Sequence, residues 1–271
     1  MQNNRLCTCG SGLTYGACCG AKVNDNDDHV NRSRLNAYSG DAGGHRAEFC
    51  RSYSFHKRSA LAEIAAELNQ EAQAAGKAIS CHNGCAACCR VYVVASLQEC
   101  EAIVYYLYQH PDALRHFLGA FPSWRAGVEK IHSTFFDISR LQQKKLSRTD
   151  TPEDNAEFEA ALTKYAEQNL DCPFLKDEAC LVYDVRPYAC AGLASTTPAE
   201  WCAVNHPYHK SIKLMKLSVN LDSDPPYFAN QASKVSLTNM PALVYEILYY
   251  GWDFLCRVPG CAHLKSKQNK P

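Results

Sequence analysis

Four cysteines fall within residues 7–19 of this 271-residue chain: Cys7, Cys9, Cys18 and Cys19, in CTCGSGLTYGACCG. A second group, Cys81, Cys85, Cys88 and Cys89, lies in CHNGCAACC. Thiolates are soft ligands, and four of them at about 2.3 Å close a tetrahedral zinc site. The first group has the spacing C-x-C-x8-C-C. Cys7 and Cys9 fit on one tight knuckle, and Cys18 and Cys19 return from the other side. Gly10, Gly12 and Gly16 permit left-handed turns and let backbone N–H groups approach the sulfurs. A peptide this short buries no core, so a metal has to supply its folding free energy.

The second group reads C-x3-C-x2-C-C. Its first three thiols do not close a four-coordinate site. The fourth is either Cys89 or a distant cysteine, and Cys172, Cys180, Cys190 and Cys202 are the candidates. Pro173 and Pro187 stiffen the loops that carry three of these. An iron–sulfur cluster is also held by four thiolates, so spacing leaves zinc and iron–sulfur both open.

Sixteen cysteines are many for a chain of this length. The first ten residues, MQNNRLCTCG, contain no apolar stretch of the kind an export signal needs. Clumped thiols in a reducing cytoplasm point to metal or redox chemistry rather than to a disulfide scaffold. Lysine plus arginine equals aspartate plus glutamate, 28 each, so no electrostatic footprint for nucleic acid or anionic lipid is expected. The most apolar stretch, 237–255, is interrupted by Glu246 and Asp253 and reads as a buried helix, not a membrane span.

CTCGSGLTYGACCG resembles the SEC-C motif, C-x-C-G-S-G followed by a tyrosine and a terminal C-C or H-C. The resemblance implies that Cys7, Cys9, Cys18 and Cys19 bind Zn²⁺ and that the motif contacts another protein. Thr8 stands where the motif usually has proline, and Thr14, Gly16 and Ala17 stand where basic residues usually flank Tyr15. A basic docking surface is therefore not implied. Residues 80–205 resemble the YkgJ-like cysteine-cluster proteins, zinc- or iron-chelating domains. Their signature is C-x(2–3)-C-x2-C-C, a capping helix, then CPFL and C-x-VY-x-x-RP-x-x-C. This resemblance implies metal ligands at Cys81, Cys85, Cys88, Cys89, Cys172, Cys180 and Cys190. It implies chelation and no defined reaction.

These cysteines need elements to position them. Residues 21–45 are polar and rich in Asn, Asp, Ser and Gly, as in a linker. Leu61, Ile64, Ala65, Leu68, Ala72 and Ala75 repeat at three and four and predict an amphipathic helix over 58–76. VYVV at 91–94 suits a short strand. Ser96 and Glu99 form a capping box for a helix that faces inward through Leu97, Cys100, Ile103, Val104 and Leu107, and that stops at Pro111. Cys100 on this face reads as a core residue. Ser123 is expected to cap a longer helix with Trp124, Val128, Ile131, Phe135, Ile138 and Leu141 inward. Thr151-Pro152 begins another, with Phe158, Ala161, Leu162 and Tyr165 inward. A last helix spans about 238–250 and ends at Gly251. Between 172 and 235 the chain reads as irregular, with short alternations such as IKLMKLSV at 212–219.

The expected fold is therefore mainly α: a small helical domain with cysteine-bearing loops, preceded by a short zinc-knuckle-like motif. The expected organisation is a SEC-C-like motif at 1–20, a linker at 21–55, a helical cysteine-cluster domain at 56–265 and a tail at 266–271.

Other patterns carry less. C-x3-C-x2-C is also radical-SAM spacing, but that chemistry needs alternating strands and helices, which are missing here. Cys202, His206 and His209 in WCAVNHPYH read as loop residues, with Pro207 among them. Cys256, Cys261 and His263 in CRVPGCAH either complete a site or pack on the last helix. Tyr183 and Arg186 are expected to pack the loops and offset thiolate charge. No G-x-S-x-G and no phosphate-loop lysine pattern occurs. The leading reading is a metal-binding protein, with zinc at the first motif and zinc or iron–sulfur at the second. The alternative is an Fe–S oxidoreductase or a protein-modifying enzyme such as a lysine methylase.

Overall fold

A computed structural model of the chain describes Tyr38 and residues 40–82, 84–217, 238–251 and 254. Its architecture is mainly helical. The helices are α1 (Gly40–Ala74), α2 (Leu97–Gln109), α3 (Pro111–Lys130), α4 (His132–Leu146), α5 (Pro152–Ala166), the short α6 (Tyr188–Ala191) and α7 (Met240–Tyr250). The strands are β1 (Val94–Ala95), β2 (Leu175–Lys176), β3 (Ala179–Cys180), β4 (Leu193–Ser195), β5 (Leu214–Lys216) and β6 (Thr238–Asn239). They form antiparallel pairs β1–β6, β2–β3 and β4–β5.

The central element is α2. It packs on α1, α3 and α7, and its Leu97, Cys100, Ile103, Val104 and Leu107 are all buried, as the periodicity predicts. Each fully buried Leu or Ile contributes roughly 1.5–3 kcal/mol. The capping box forms: Ser96 Oγ accepts the Glu99 N–H, and the Glu99 carboxylate accepts the Ser96 N–H at 2.8 Å.

The helix expected over 58–76 starts much earlier, at Gly40. Arg46, Cys50, Tyr53 and Lys57 are buried on this extension, the first three within the 21–55 stretch expected as a linker. The reason is two buried ion pairs to α2: Arg46 with Glu101, and Lys57 Nζ with Glu99 Oε1 at 2.8 Å. Two of the extension's charges, Arg46 and Lys57, are consumed inside the fold, while His45, Glu48 and Arg51 stay exposed. Leu61, Ile64, Leu68 and Ala72 face inward as expected, while Ala65 and Ala75 are exposed.

A second difference lies at Ser123. No helix starts there. Ser123 and Pro122 sit inside α3, and the chain breaks instead at Ile131. Proline inside a helix costs roughly 3 kcal/mol. Here the buried stripe of Phe117, Leu118, Phe121, Trp124 and Val128 outweighs it. Phe121 stacks on Tyr245 at 4.1 Å, and the Trp124 indole donates to the Tyr165 hydroxyl at 3.1 Å. Thr151 caps α5 as expected. The last helix starts at Met240, capped by Asn239, and ends at Gly251, whose φ of 51° suits glycine.

Candidate metal centre

Cysteines from four separated segments lie near one another. The first is the loop 80–91, built from successive turns. The Cys85 N–H donates to His82 O, and the Cys89 N–H donates to Ala86 O at 2.9 Å. The second holds Cys172, whose N–H donates to Cys89 O at 2.8 Å, so the two loops are tied by backbone. The third is the β2–β3 hairpin, which ends in Cys180. The fourth runs from α6, which carries Cys190, through β4 to the 3₁₀ turn Ala199–Cys202.

The core holds this fourth segment in place. The carboxylate of Glu99, already paired with Lys57, also accepts the Tyr188 N–H at 2.8 Å. Lys57 Nζ lies 4.8 Å from the centre of the Tyr188 ring. A small apolar cluster of Leu61, Ile64, Leu68, Tyr188, Ala191 and Ala194 seats α6 and β4 on α1, with Cys81 against its edge.

The thiols divide into two neighbourhoods. Cys81, Cys85, Cys88 and Cys202 line one small cavity, together with Ala87, Leu193, Ala194, Ser195 and Leu214. Burial pushes the Cys81 thiol up, and Cys88 and Cys85 add to this. Burial also pushes Cys202 up, with Cys81, Cys88 and Cys85 acting in the same direction. Ser195 opposes both. Its N–H donates to Cys81 Sγ at 3.2 Å, and its side chain hydrogen-bonds Cys202.

The other neighbourhood holds Cys172, Cys180 and Cys190. Burial raises all three thiols, and each is raised further by at least one other cysteine. Two of them accept backbone N–H groups from two residues ahead: Phe174 for Cys172 and Val182 for Cys180. Such donors stabilise the thiolate over the thiol. Cys88 stands at the junction. Its hydrogen bond with Cys89 pushes it up first, burial second, and the Arg186 guanidinium draws it down. Arg186 also lowers Cys180. It stacks 3.7 Å over the Tyr183 ring and donates to Tyr183 O at 2.9 Å. The two residues thus take the packing and charge-offsetting places expected from the sequence.

All the described cysteines are free thiols. Among the described residues, no three His, Cys, Asp or Glu side chains already converge closely enough to hold a metal ion. The donor set suits a soft metal nonetheless: grouped sulfurs, N–H donors aimed at them and one guanidinium nearby.

Cys100 is fully buried on α2, a core residue as its helical phase indicates. His209 Nδ1 lies 3.2 Å from Trp201 O, and His206 Nδ1 accepts the Tyr208 N–H at 3.2 Å, so both act as loop residues. Cys202, part of the same loop and by sequence a distant candidate for the fourth ligand, stands at the cavity. A wider surface concavity bounded by Arg140, Gln143, Lys144, Leu146 and Ser147 contains no cysteine. Cys7, Cys9, Cys18 and Cys19, and also Cys256, Cys261 and His263, lie outside the described residues.

Comparison with known families matches the SEC-C motif at residues 4–21. No curated protein and no solved structure matches the chain. The chain therefore carries a cysteine-rich motif at its start, followed by a mainly helical body. No described helix is long and apolar enough to cross a membrane.

Proposed function

We propose that this protein is a cytoplasmic metal-binding protein built from two cysteine-rich parts. The first part is the SEC-C motif, with Zn²⁺ on Cys7, Cys9, Cys18 and Cys19, acting as a contact point for another protein. The second is a YkgJ-like cysteine-cluster domain within 56–265. It binds zinc or an iron–sulfur cluster through Cys81, Cys85, Cys88, Cys89, Cys172, Cys180 and Cys190. The stretch 21–55 leads into this domain, and 266–271 is a tail.

The observation that carries the reading is the nearness of thiols from four chain segments, with backbone N–H groups donated to Cys81, Cys172 and Cys180. A bound metal would supply positive charge for the thiolates and cross-link loops that little regular structure holds. The chain's own residues supply the frame: Glu99 fixes the start of α6, Arg186 offsets sulfur charge, and Ser195 donates to sulfur.

The test is metal content with an absorbance spectrum on full-length protein purified without air. Two or more zinc atoms per chain and no absorption near about 400 nm give closed structural sites. Iron with sulfide and a broad band in that region give a cluster, and with it a redox role. Protein with neither metal, after purification with and without added zinc, overturns the proposal.

A further inference from the structure

We infer that Cys202 completes a four-thiol site with Cys81, Cys85 and Cys88, and that this site holds a single zinc-type divalent ion, separate from the group around Cys172, Cys180 and Cys190. The inference rests on the metal-binding reading above and adds to it a ligand and a division into two centres.

Three observations carry it. The four sulfur-bearing residues share one cavity, and none of Cys172, Cys180 and Cys190 lines it. The cavity is small, and four thiolates are the number that closes a tetrahedral site on one ion. The rest of the lining is mostly apolar, which leaves sulfur as the main donor there. Lastly, Ser195 is fully buried and bonded to both ends of the set. Its N–H reaches Cys81 Sγ, and its side chain reaches the Cys202 thiol. Cys81 and Cys202 are thereby tied to one residue on a paired strand, β4.

Binding is balanced simply. Four S–H groups release their protons to solvent and four sulfur–metal bonds form, with no change of oxidation state. Three of the thiols lie on the turns of 80–91, and Cys202 ends a 3₁₀ turn. These are segments that can draw inward onto an ion while α1 and α2 stay in place. Cys88 also faces Cys180 and Cys190, so it stands where the two groups meet, and the backbone of Cys89 holds Cys172 beside it.

The experiment is zinc and iron analysis of the full chain and of Cys202→Ser, Cys180→Ser and the double variant, with Co²⁺ replacing zinc as the spectroscopic probe. The expected result is a loss of about one metal equivalent in each single variant and about two in the double. Cys202→His is expected to restore that equivalent and to shift the cobalt d–d bands, because imidazole replaces one thiolate. If Cys202→Ser keeps all its metal while Cys180→Ser loses an equivalent, the inference fails and the metal-binding reading stands. If neither variant loses metal, that reading fails with it. If Cys202→Ser does not fold, Cys202→His decides: unshifted cobalt bands overturn the assignment, and shifted bands support it. Loss of iron and sulfide with Cys202 overturns the single-ion assignment.

Discussion

The backbone N–H of Ser195 donates to Cys81 Sγ at 3.2 Å across 114 residues of sequence. The same serine's hydroxyl closes a turn: it donates to Thr197 O at 3.0 Å and accepts the Thr197 N–H at 3.1 Å. Ser195 therefore organises the cavity through both its backbone and its side chain. Ser195→Ala keeps the first bond and loses the rest. It is expected to destabilise the fold by about 1–3 kcal/mol, the cost of buried polar partners left unmade. Urea denaturation measures this.

The Lys57–Glu99 pair is nearly inaccessible on both sides, at 1% and 2% exposure. Lys57→Met leaves Glu99 buried without its cation, and a broken buried pair costs about 3–5 kcal/mol. Adding Glu99→Gln removes the orphaned charge, so the double variant is expected to recover part of that loss. A double-mutant cycle by thermal or chemical unfolding reads the coupling. Equal stability of single and double variants would show that the charge itself is unimportant.

Gly192 is fixed by space rather than by backbone conformation. A Cβ there would lie 2.7 Å from Leu217 O and 3.1 Å from Tyr188 O, both backbone atoms. Gly192→Ala is expected to cost about 1–3 kcal/mol, as overpacking does. It should also weaken the Leu217 N–H bond to Gly192 O, now 2.8 Å. Faster amide exchange at Leu217 is the specific readout.

The β2–β3 hairpin turns through Asp177 and Glu178 at φ values of 48° and 60°. Both are non-glycine residues in the left-handed region, which costs roughly 1–2 kcal/mol each. Glu178→Gly relieves one of them and is expected to raise stability by about 1 kcal/mol. A higher denaturation midpoint is the expected outcome.

Asp154 is held below the ordinary carboxylate range, first by its hydrogen bond with Lys144 and then by the Thr151 N–H. A lowered folded value gives stability that is fully present above the unfolded pKa, about 3.9. That stability is lost as pH falls through the folded value. Wild type is therefore expected to exceed Asp154→Asn by a constant margin from neutral pH down to about 4, with the gap closing below. Melting temperature against pH follows it, and added salt should narrow the gap.

The helical body is legible where apolar periodicity and caps agree. Ser96 with Glu99 and Thr151 with Pro152 mark real helix starts, and α2 buries the face that its spacing implies. What escapes is tertiary. Arg46 and Lys57 look like solvent residues until Glu101 and Glu99 meet them from another helix. Ser123 has the chemistry of a cap but sits mid-helix, because the aromatic stripe across it is worth more buried than broken. The β2–β3 turn lacks the Gly or Asn that normally announces it. Cys202 is one of four distant candidates in the sequence, and only the pairing of β4 with β5 and the following turn single it out for Cys81.

The long separation between Cys81 and Ser195 also sets an order of events during synthesis. With 114 residues between them and elongation at about 5–20 residues per second, roughly 6–23 s pass before the second partner exists. Through that interval Cys81, Cys85, Cys88 and Cys89 are reduced thiols on an unfinished chain, open to oxidants and to stray metal. The cavity can close only after the last of its walls has been made. The shelter of these thiols is thus set by the pace of the ribosome, because the strand that bonds to Cys81 is made 114 residues later.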